Sequence, residues 1–235
     1  MKLLLCLMFA VSSLYSQVTI NNIKGSALII NDKNEKIEAK KGDVLNQGYS
    51  ISTSSNSEAE ILLNDTGIVV LYENSRFTLN PPLNEEKTSF LEGLFGIKKL
   101  YADDSQSLID YLYGKATFFI KKLSEKQYSV RTPTAVCGVR GTSFSINSDD
   151  NLSEIGLFKG SVELKNNKDN KNEVKVLKPG QTAYITSVDI KIENRLSKIM
   201  EKEKKRAEKL EKYFEKVNLK IKERNEKLDK KLKYQ

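Results

Sequence analysis

The sequence contains no histidine and no tryptophan, and it has only two cysteines among 235 residues. The lack of histidine removes the commonest general acid–base residue, and with it the Ser-His and Cys-His pairs that activate nucleophiles. Two cysteines without histidine do not supply the ligands of an ordinary zinc site. We therefore expect a protein that is not an enzyme and that carries no metal or cofactor.

Long apolar runs are also missing, apart from a short one at the N-terminus. Lys2 is followed by the almost wholly apolar stretch Leu3 to Val11, which is far shorter than the ~20 residues that span a bilayer. A positive charge, a short apolar run and then small residues are typical of a secretory signal peptide. We expect residues 1–16 to be this signal, with cleavage after Ser16. The mature chain would then be exported to the periplasm or the cell surface and would have no transmembrane segment.

Only one of the two cysteines is expected to remain in the mature chain. Cys6 lies near the start of the apolar run, whereas a lipid-modified cysteine follows such a run, so we expect Cys6 to leave with the signal. The mature chain then keeps Cys137 alone, which cannot form an internal disulfide. The fold must therefore depend on packing.

The formal net charge of +8 is concentrated at the C-terminus. Residues 190–235 contain 17 Lys and Arg and 9 Asp and Glu, so this segment accounts for the whole excess of positive charge. The remainder of the chain is neutral overall. A basic tail is weak evidence that the main domain binds nucleic acid. Together with export, this distribution leads us to expect no nucleic-acid partner.

Residues 17–189 are numerous enough for one domain and have the pattern of many short strands. Alternate positions from Ala59 to Leu63 are apolar, Asn64 to Gly67 is a turn signal, and Ile68 to Tyr72 resumes a strand pattern. Two such runs around a short Asn/Asp/Gly loop indicate a hairpin. Strands at about 8–12-residue spacing with turn residues between them predict an all-β domain, either a sandwich, a β-roll or a solenoid-like stack.

Two parts of this domain do not follow the strand pattern. Residues 83–113 are interpreted as an insertion, in which Ser105 to Tyr113 has the cap and apolar spacing of a short helix. The carboxylate pairs Asp103/Asp104 and Asp149/Asp150 lie among Ser, Asn and Gln. We interpret them as solvated loop charges, although the sequence alone does not exclude a glycosidase-like pair.

The most distinctive motif is VRTPTAVCGVRGTSFSI at residues 130–146. Proline restricts the residue before it, so Thr132-Pro133 fixes an extended entry. Gly138 and Gly141 permit a tight turn around Arg140 that bulkier residues resist. We interpret Arg140 as structural, with its guanidinium group binding loop carbonyls or a carboxylate. The alternative is a cation that faces a ligand.

This motif resembles the signature of the FecR domain, roughly V-x-T-P-x-A-x-x-x-V-R-G-T-x-F-x-V. The flanking stretches 41–79, 158–164 and 177–185 are similar to the family as well, so the resemblance covers about 25–185. It implies a FecR-like β domain in which the motif residues are structural. The matching motif residues are Thr132, Pro133, Ala135, Val139, Arg140, Gly141, Thr142 and Phe144.

The resemblance also implies a biological setting. FecR-type proteins are sensors in which a cytoplasmic segment controls a sigma factor, a transmembrane helix follows, and the FecR domain lies in the periplasm near a TonB-dependent receptor. Here the apolar run begins at Leu3, so we expect a FecR-like domain without the anti-sigma segment. The expected function is a binding or scaffold module of the cell envelope. The alternative is a periplasmic component of iron-uptake signalling that acts through a separate membrane partner.

Residues 190–235 are expected to form a charged helical tail. The segment 190–233 has no Pro or Gly and is rich in strong helix formers. Its apolar residues recur at spacings of 3, 4 or 7, which indicates one stripe. The interface residues predicted from this stripe are Leu210, Phe214, Val217, Ile221, Leu228 and Leu232.

Three interpretations of the tail stay open. It is a helix docked on the domain, a coiled coil that joins copies or an envelope protein, or a basic arm that weakly contacts anionic polymers or lipid. Basic and acidic residues are interleaved along the segment, which weakens the third interpretation.

Overall fold

The computed structural model describes residues 18–63, 66–79, 106–122, 128–167 and 173–232. The predicted signal peptide and most of the predicted insertion therefore lie outside the described residues. Within these ranges, no helix is both long and apolar enough to cross a membrane.

The described residues form seventeen strands followed by one helix. The strands are β1 (Val18–Lys24), β2 (Ala27–Ile30), β3 (Lys36–Glu38), β4 (Val44–Leu45), β5 (Ser50–Thr53), β6 (Glu58–Leu63), β7 (Gly67–Leu71), β8 (Arg76–Leu79), β9 (Gln106–Ile120), β10 (Tyr128–Arg131), β11 (Ala135–Val139), β12 (Ser143–Ser148), β13 (Leu152–Lys159), β14 (Val162–Asn166), β15 (Val174–Leu177), β16 (Thr182–Thr186) and β17 (Ile190–Glu193). The helix is α1 (Lys198–Leu232).

The strands make two sheets that share β9. Sheet A has the order β4-β1-β6-β7-β9-β12-β13-β16-β17. Sheet B has the order β3-β2-β5-β8-β9-β10-β11-β14-β15, and its β9–β10 pair is parallel while the others are antiparallel. Buried side chains from both sheets form one core. The predicted all-β fold with a C-terminal helix is confirmed, as a β-sandwich.

The alternation of apolar residues explains how the sheets face each other. In β6 the side chains of Ala59, Ile61 and Leu63 are buried, while the intervening positions are half-buried. Successive strand residues point to opposite faces, so this pattern gives the strand one core face. The predicted hairpin is confirmed, because β6 pairs antiparallel with β7 and Ala59 lies opposite Leu71.

Strand β9 passes from one sheet to the other at Gly114. Its first half pairs with β8 and β10 in sheet B, and its second half pairs with β7 and β12 in sheet A. Gly114 has φ +87°, in the region that favours glycine. The next amide, that of Lys115, donates to the hydroxyl of Ser75 at 2.8 Å. This one residue therefore lets a single strand serve both sheets.

The helix predicted over Ser105 to Tyr113 is wrong, because residues 106–113 are the first half of β9. The pairing register between β9 and β8 shifts so that Tyr111 lies opposite Thr78 and Ile109 opposite Leu79. Asp110 is the extra residue of this bulge. The bulge places the buried Ile109 and Leu112 three positions apart, which is the spacing of a helix.

The β domain continues past position 189. Strand β17 adds residues 190–193 to the edge of sheet A, and α1 begins at Lys198. The hydroxyl of Ser197 caps the helix by accepting a hydrogen bond from the amide of Met200 at 3.2 Å. The amide of Ser197 donates to the Thr182 hydroxyl in β16 at 3.0 Å, so the start of the helix is fixed to sheet A.

Cys137 lies in the middle of β11 and is fully buried. Burial raises the pKa of its thiol to about 12, because desolvation disfavours the thiolate. In a Cys6→Ser background, we expect no rapid reaction of the native protein with the thiol reagent DTNB at about pH 8, and rapid reaction after unfolding. A fast native reaction would contradict the burial of this strand.

Candidate functional site

The first half of the FecR-like motif is a tight turn between β10 and β11. The Thr132 amide donates to the Ala135 carbonyl at 2.8 Å, and the Ala135 amide donates to the Thr132 hydroxyl at 2.9 Å. Pro133 lies between them and is half-buried. Thr132 therefore closes the turn with both its backbone and its side chain.

Four buried hydroxyl groups meet behind this turn. The Ser153 hydroxyl lies 2.7 Å from those of Thr132 and Thr134 and 2.8 Å from that of Ser148. Each of these residues is at most 4% exposed. Buried hydroxyls are costly without a hydrogen-bond partner, so the network holds the motif turn against β12 and β13.

We expect Thr132→Val to destabilise the domain by about 2 kcal/mol, because the near-isosteric change leaves buried partners unsatisfied. Chemical denaturation measures the loss. Thr134→Val is the matched control, since the Thr134 hydroxyl contacts Ser153 but does not bind the turn amide. Unchanged stability of the Thr132 variant would contradict a structural role for this hydroxyl.

The second half of the motif forms the turn into β12 and part of the core. Gly141 has φ +62°, and a Cβ there would lie 2.7 Å from the Lys122 Cβ. The Phe144 ring stacks on Phe118 with centroids 4.7 Å apart. Of the eight predicted motif residues, Thr132, Ala135, Val139, Thr142 and Phe144 are buried, whereas Pro133, Arg140 and Gly141 are half-buried.

The face of sheet A that points away from the core is covered by the first half of α1. Leu210 and Phe214 of the helix form a cluster with Ile68 of β7 and Phe119 of β9. The rings of Phe119 and Phe214 are tilted by 60° with centroids 5.5 Å apart. Helix residues four apart lie on one side, so Leu210 and Phe214 reach this cluster together.

A glycine in sheet A receives the N-terminal turn of the helix. A Cβ on Gly156 of β13 would lie 2.6 Å from the Met200 Cγ. Met200 is fully buried at this point. Any larger residue at position 156 would have to displace the Met200 side chain, so the absence of a side chain at Gly156 makes room for this contact.

Between these apolar contacts the helix buries a carboxylate. Glu203 is 3% exposed and accepts hydrogen bonds from the Lys115 ammonium at 3.2 Å and the Thr117 hydroxyl at 3.3 Å. Arg206 lies 3.5 Å from the same carboxylate. A buried ion pair contributes little net stability but disfavours alternatives that leave its charge unpaired. The cluster therefore favours one register of the helix on the sheet.

Tyr72 borders this polar cluster and contacts two of its members, Thr117 and Lys115. Its hydroxyl donates to Thr117 at 3.3 Å, and the Lys115 ammonium lies 4.4 Å from its ring centroid. Burial raises the pKa of Tyr72 well above its usual value, and the nearby Glu203 carboxylate adds to the effect. Tyr72 therefore remains a neutral hydrogen-bond donor throughout the physiological pH range.

An open cleft of about 410 Å³ adjoins the cluster on one side of the helix. Asn21 donates to the Glu60 carboxylate and to the Tyr213 hydroxyl, both at 2.9 Å, and so joins β1 to β6 and to the helix. The charged side chains that line the cleft are Lys24, Glu58, Glu60, Arg206 and Lys209.

The structure places the predicted tail interface in two parts. Leu210 and Phe214 are buried against sheet A, and Val217 is half-buried. Ile221, Leu228 and Leu232 belong to α1, but their side chains lie outside the described part of the structure. Beyond Asn218 the described side chains are exposed, with Leu219 at 59%.

The predicted carboxylate pairs do not assemble a site in the described residues. The Asp149 carboxylate accepts hydrogen bonds from the amides of Asn151 and Leu152, both at 2.8 Å, and so shapes the turn before β13. Asp103 and Asp104 lie outside the described residues. Nowhere in the described ranges do three or more acidic or cysteine side chains form a group that could hold a metal ion.

Sequence reasoning did not find Glu203, Lys115 and Gly156. Glu203 lies seven residues before Leu210, so the spacing of the apolar stripe contained a signal for its buried position. Because Glu203 is charged and the tail contains many charged residues, its spacing alone did not single it out as buried. The other two residues have no sequence signal, because their partners are brought to them by the fold.

The fold is a two-sheet sandwich with a C-terminal helix docked on one face. Residues 49–163 match the family model described as FecR protein. The chain therefore carries a FecR domain over these residues.

Solved structures that match part of the chain include a candidate anti-sigma factor from Parabacteroides distasonis ATCC 8503, with a crystal structure at 1.65 Å and another at 2.50 Å resolution. Each match has 19% identity and a TM-score of 0.46, and it covers 62% of this chain. The chain spans 59% of the length of the matched protein. No curated protein sequence matches the chain.

Proposed function

We propose that this is an exported, non-enzymatic FecR-domain protein that acts by binding, as a module of the cell envelope. The proposal rests on the different surroundings of the two halves of α1, of which the first is packed on the domain and the second is exposed at its described side chains. Met200 to Phe214 is packed on sheet A, whereas the described side chains after Asn218 are exposed. A helix fixed at one end to a folded domain presents its other end to a partner without the cost of ordering it.

The proposed location is the periplasm or the cell surface. Its support is the N-terminal pattern of one lysine followed by the apolar stretch Leu3 to Val11. Cell fractionation of the tagged chain tests it directly. Recovery of the protein with its N-terminus intact in the cytoplasmic fraction would contradict export.

A second candidate function is FecR-type signalling from the periplasmic side, through a separate membrane partner. The family match over residues 49–163 favours it, because that stretch contains the whole Thr132-to-Phe144 motif. In this reading the FecR domain receives a signal from an outer-membrane receptor and passes it to a membrane protein.

Crosslinking and affinity capture distinguish these functions. We would compare the tagged chain from Gln17 to Gln235 with a version that ends at Asn218, which keeps the packed half of α1. Partners lost from the shorter version bind the end of the helix, and partners kept by both bind the β domain. Capture of a TonB-dependent receptor or a membrane anti-sigma factor favours signalling. Recovery of no specific partner by either version would overturn the binding proposal.

A further inference from the structure

The charges of α1 are interleaved along the sequence but are separated on the helix surface. At 3.6 residues per turn, basic residues and one tyrosine recur every three, four or seven positions along one flank. We call this flank the basic stripe. Its members are Lys198, Lys202, Arg206, Lys209, Tyr213, Lys216, Lys220 and Lys227.

The opposite flank of the helix carries acidic residues. Glu201, Glu208, Glu211 and Glu215 lie on that side, and Glu211 accepts a hydrogen bond from Lys159 of β13 at 2.6 Å. Lys204 and Lys212 lie on the same side and reduce its negative charge. The remaining carboxylates near the stripe are Glu203, which is buried in the docked face, and Glu223, which borders the stripe.

The basic stripe is long and accessible. From Lys198 to Lys227 a helix rises about 44 Å, with successive members of the stripe about 5 Å apart along the axis as far as Lys220 and about 10 Å between Lys220 and Lys227. Arg206 is 54% exposed at its side chain, and the lysines of the stripe are exposed. Lys24 of β1 adds a further cation where the stripe borders the cleft.

Two carboxylates face the stripe from sheet A. Glu58 and Glu60 line the same cleft as Arg206 and Lys209. Glu60 is bound by Asn21 at 2.9 Å, so its charge is partly satisfied within the sheet. The stripe past Tyr213 has no such acidic partner among the described side chains except Glu223 at its border.

We propose that the basic stripe binds a linear polyanion with repeating phosphate or sulfate groups. A single row of cations with axial spacings of about 5 to 10 Å matches a flexible chain of repeating anionic groups, and binding would release the counterions that such a chain condenses. A flat bilayer fits less well. The apolar face from Met200 to Phe214 is buried on sheet A and cannot enter lipid, and the far flank is acidic.

The inference rests on the geometry of α1 and is independent of the proposed function. It is tested with the full chain and fluorescently labelled, long-chain inorganic polyphosphate, by anisotropy at several NaCl concentrations. K209Q/K216Q removes two cations of the stripe. The matched control K204Q/K212Q removes two cations from the opposite flank of the same helix. Circular dichroism establishes that both variants keep the fold.

We expect K209Q/K216Q to weaken polyphosphate binding about tenfold at low salt and to lower the slope of log affinity against log salt by about two. The control should stay within about twofold of the parent. Equal losses of affinity in both variants would show that net charge alone drives binding. That result would overturn the proposal that the basic stripe is the binding site. Absence of binding would overturn the proposal, as would binding only to vesicles that contain phosphatidylglycerol.

Discussion

Replacing Gly114 with alanine is expected to destabilise the domain by about 3 kcal/mol or more, the sum of backbone strain and overpacking. Gly114 has φ +87°, which an L side chain rarely adopts. A Cβ there would lie 2.7 Å from the Ser75 Cα and closer still to the Ser75 hydroxyl. The clash involves backbone atoms, so it cannot be relieved by turning one flexible side chain.

Gly180→Ala separates the two causes of this loss. Gly180 has φ +85°, close to that of Gly114, but an added Cβ there would meet nothing within 4 Å. We expect this control to lose only the conformational part, about 1–2 kcal/mol. Denaturant unfolding of both variants gives the comparison. Equal losses would contradict the clash with Ser75, and a stable Gly114 variant would contradict the passage of β9 between the sheets.

Replacing Phe214 with alanine is expected to weaken the packing of α1 by about 3–5 kcal/mol, the usual cost of truncating a buried phenylalanine. Phe214 is 1% exposed and packs on Phe119. Alanine is the best helix former, so the loss cannot be attributed to helix propensity. We therefore expect the helix to separate more often from sheet A while the sandwich persists.

Native-state hydrogen exchange measures this separation amide by amide. The amides of Met200 to Phe214 should lose protection, and those of the core strands should change little. Leu219→Ala is the matched control, since Leu219 lies in the same helix and is 59% exposed. A uniform loss of protection across β9 and β12 would instead show that the helix and the sandwich unfold as one unit.

Local patterns in the sequence predicted much of the β domain. The alternation from Ala59 to Leu63 and the turn after it depend only on neighbouring residues, and the β6–β7 hairpin formed as expected. The FecR-like motif was recognisable because its turn is closed by residues only three positions apart, Thr132 and Ala135. The helical tail followed from composition, because its residues favour a helix without help from the domain.

The prediction that was wrong depended on partners distant in sequence. Residues 106–113 have helical spacing because Asp110 is a bulge, and the bulge exists only when β8 lies beside β9. Glu203 is another example. Nothing near it in the sequence indicates that Lys115 and Thr117, more than eighty residues earlier, supply its hydrogen bonds.

The sequence by itself determined the all-β class, the family of the domain and the presence of a long charged helix. These features depend on local periodicity, turn residues and a contiguous motif. Each of these patterns involves only residues that are close together along the chain. Only the tertiary structure decided that β9 serves both sheets, that the first half of α1 covers sheet A, and that Glu203 of this helix is buried against Lys115 and Thr117. The physical reason is that burial and charge proximity are properties of surfaces, and a surface is assembled from residues that the chain keeps far apart until it folds.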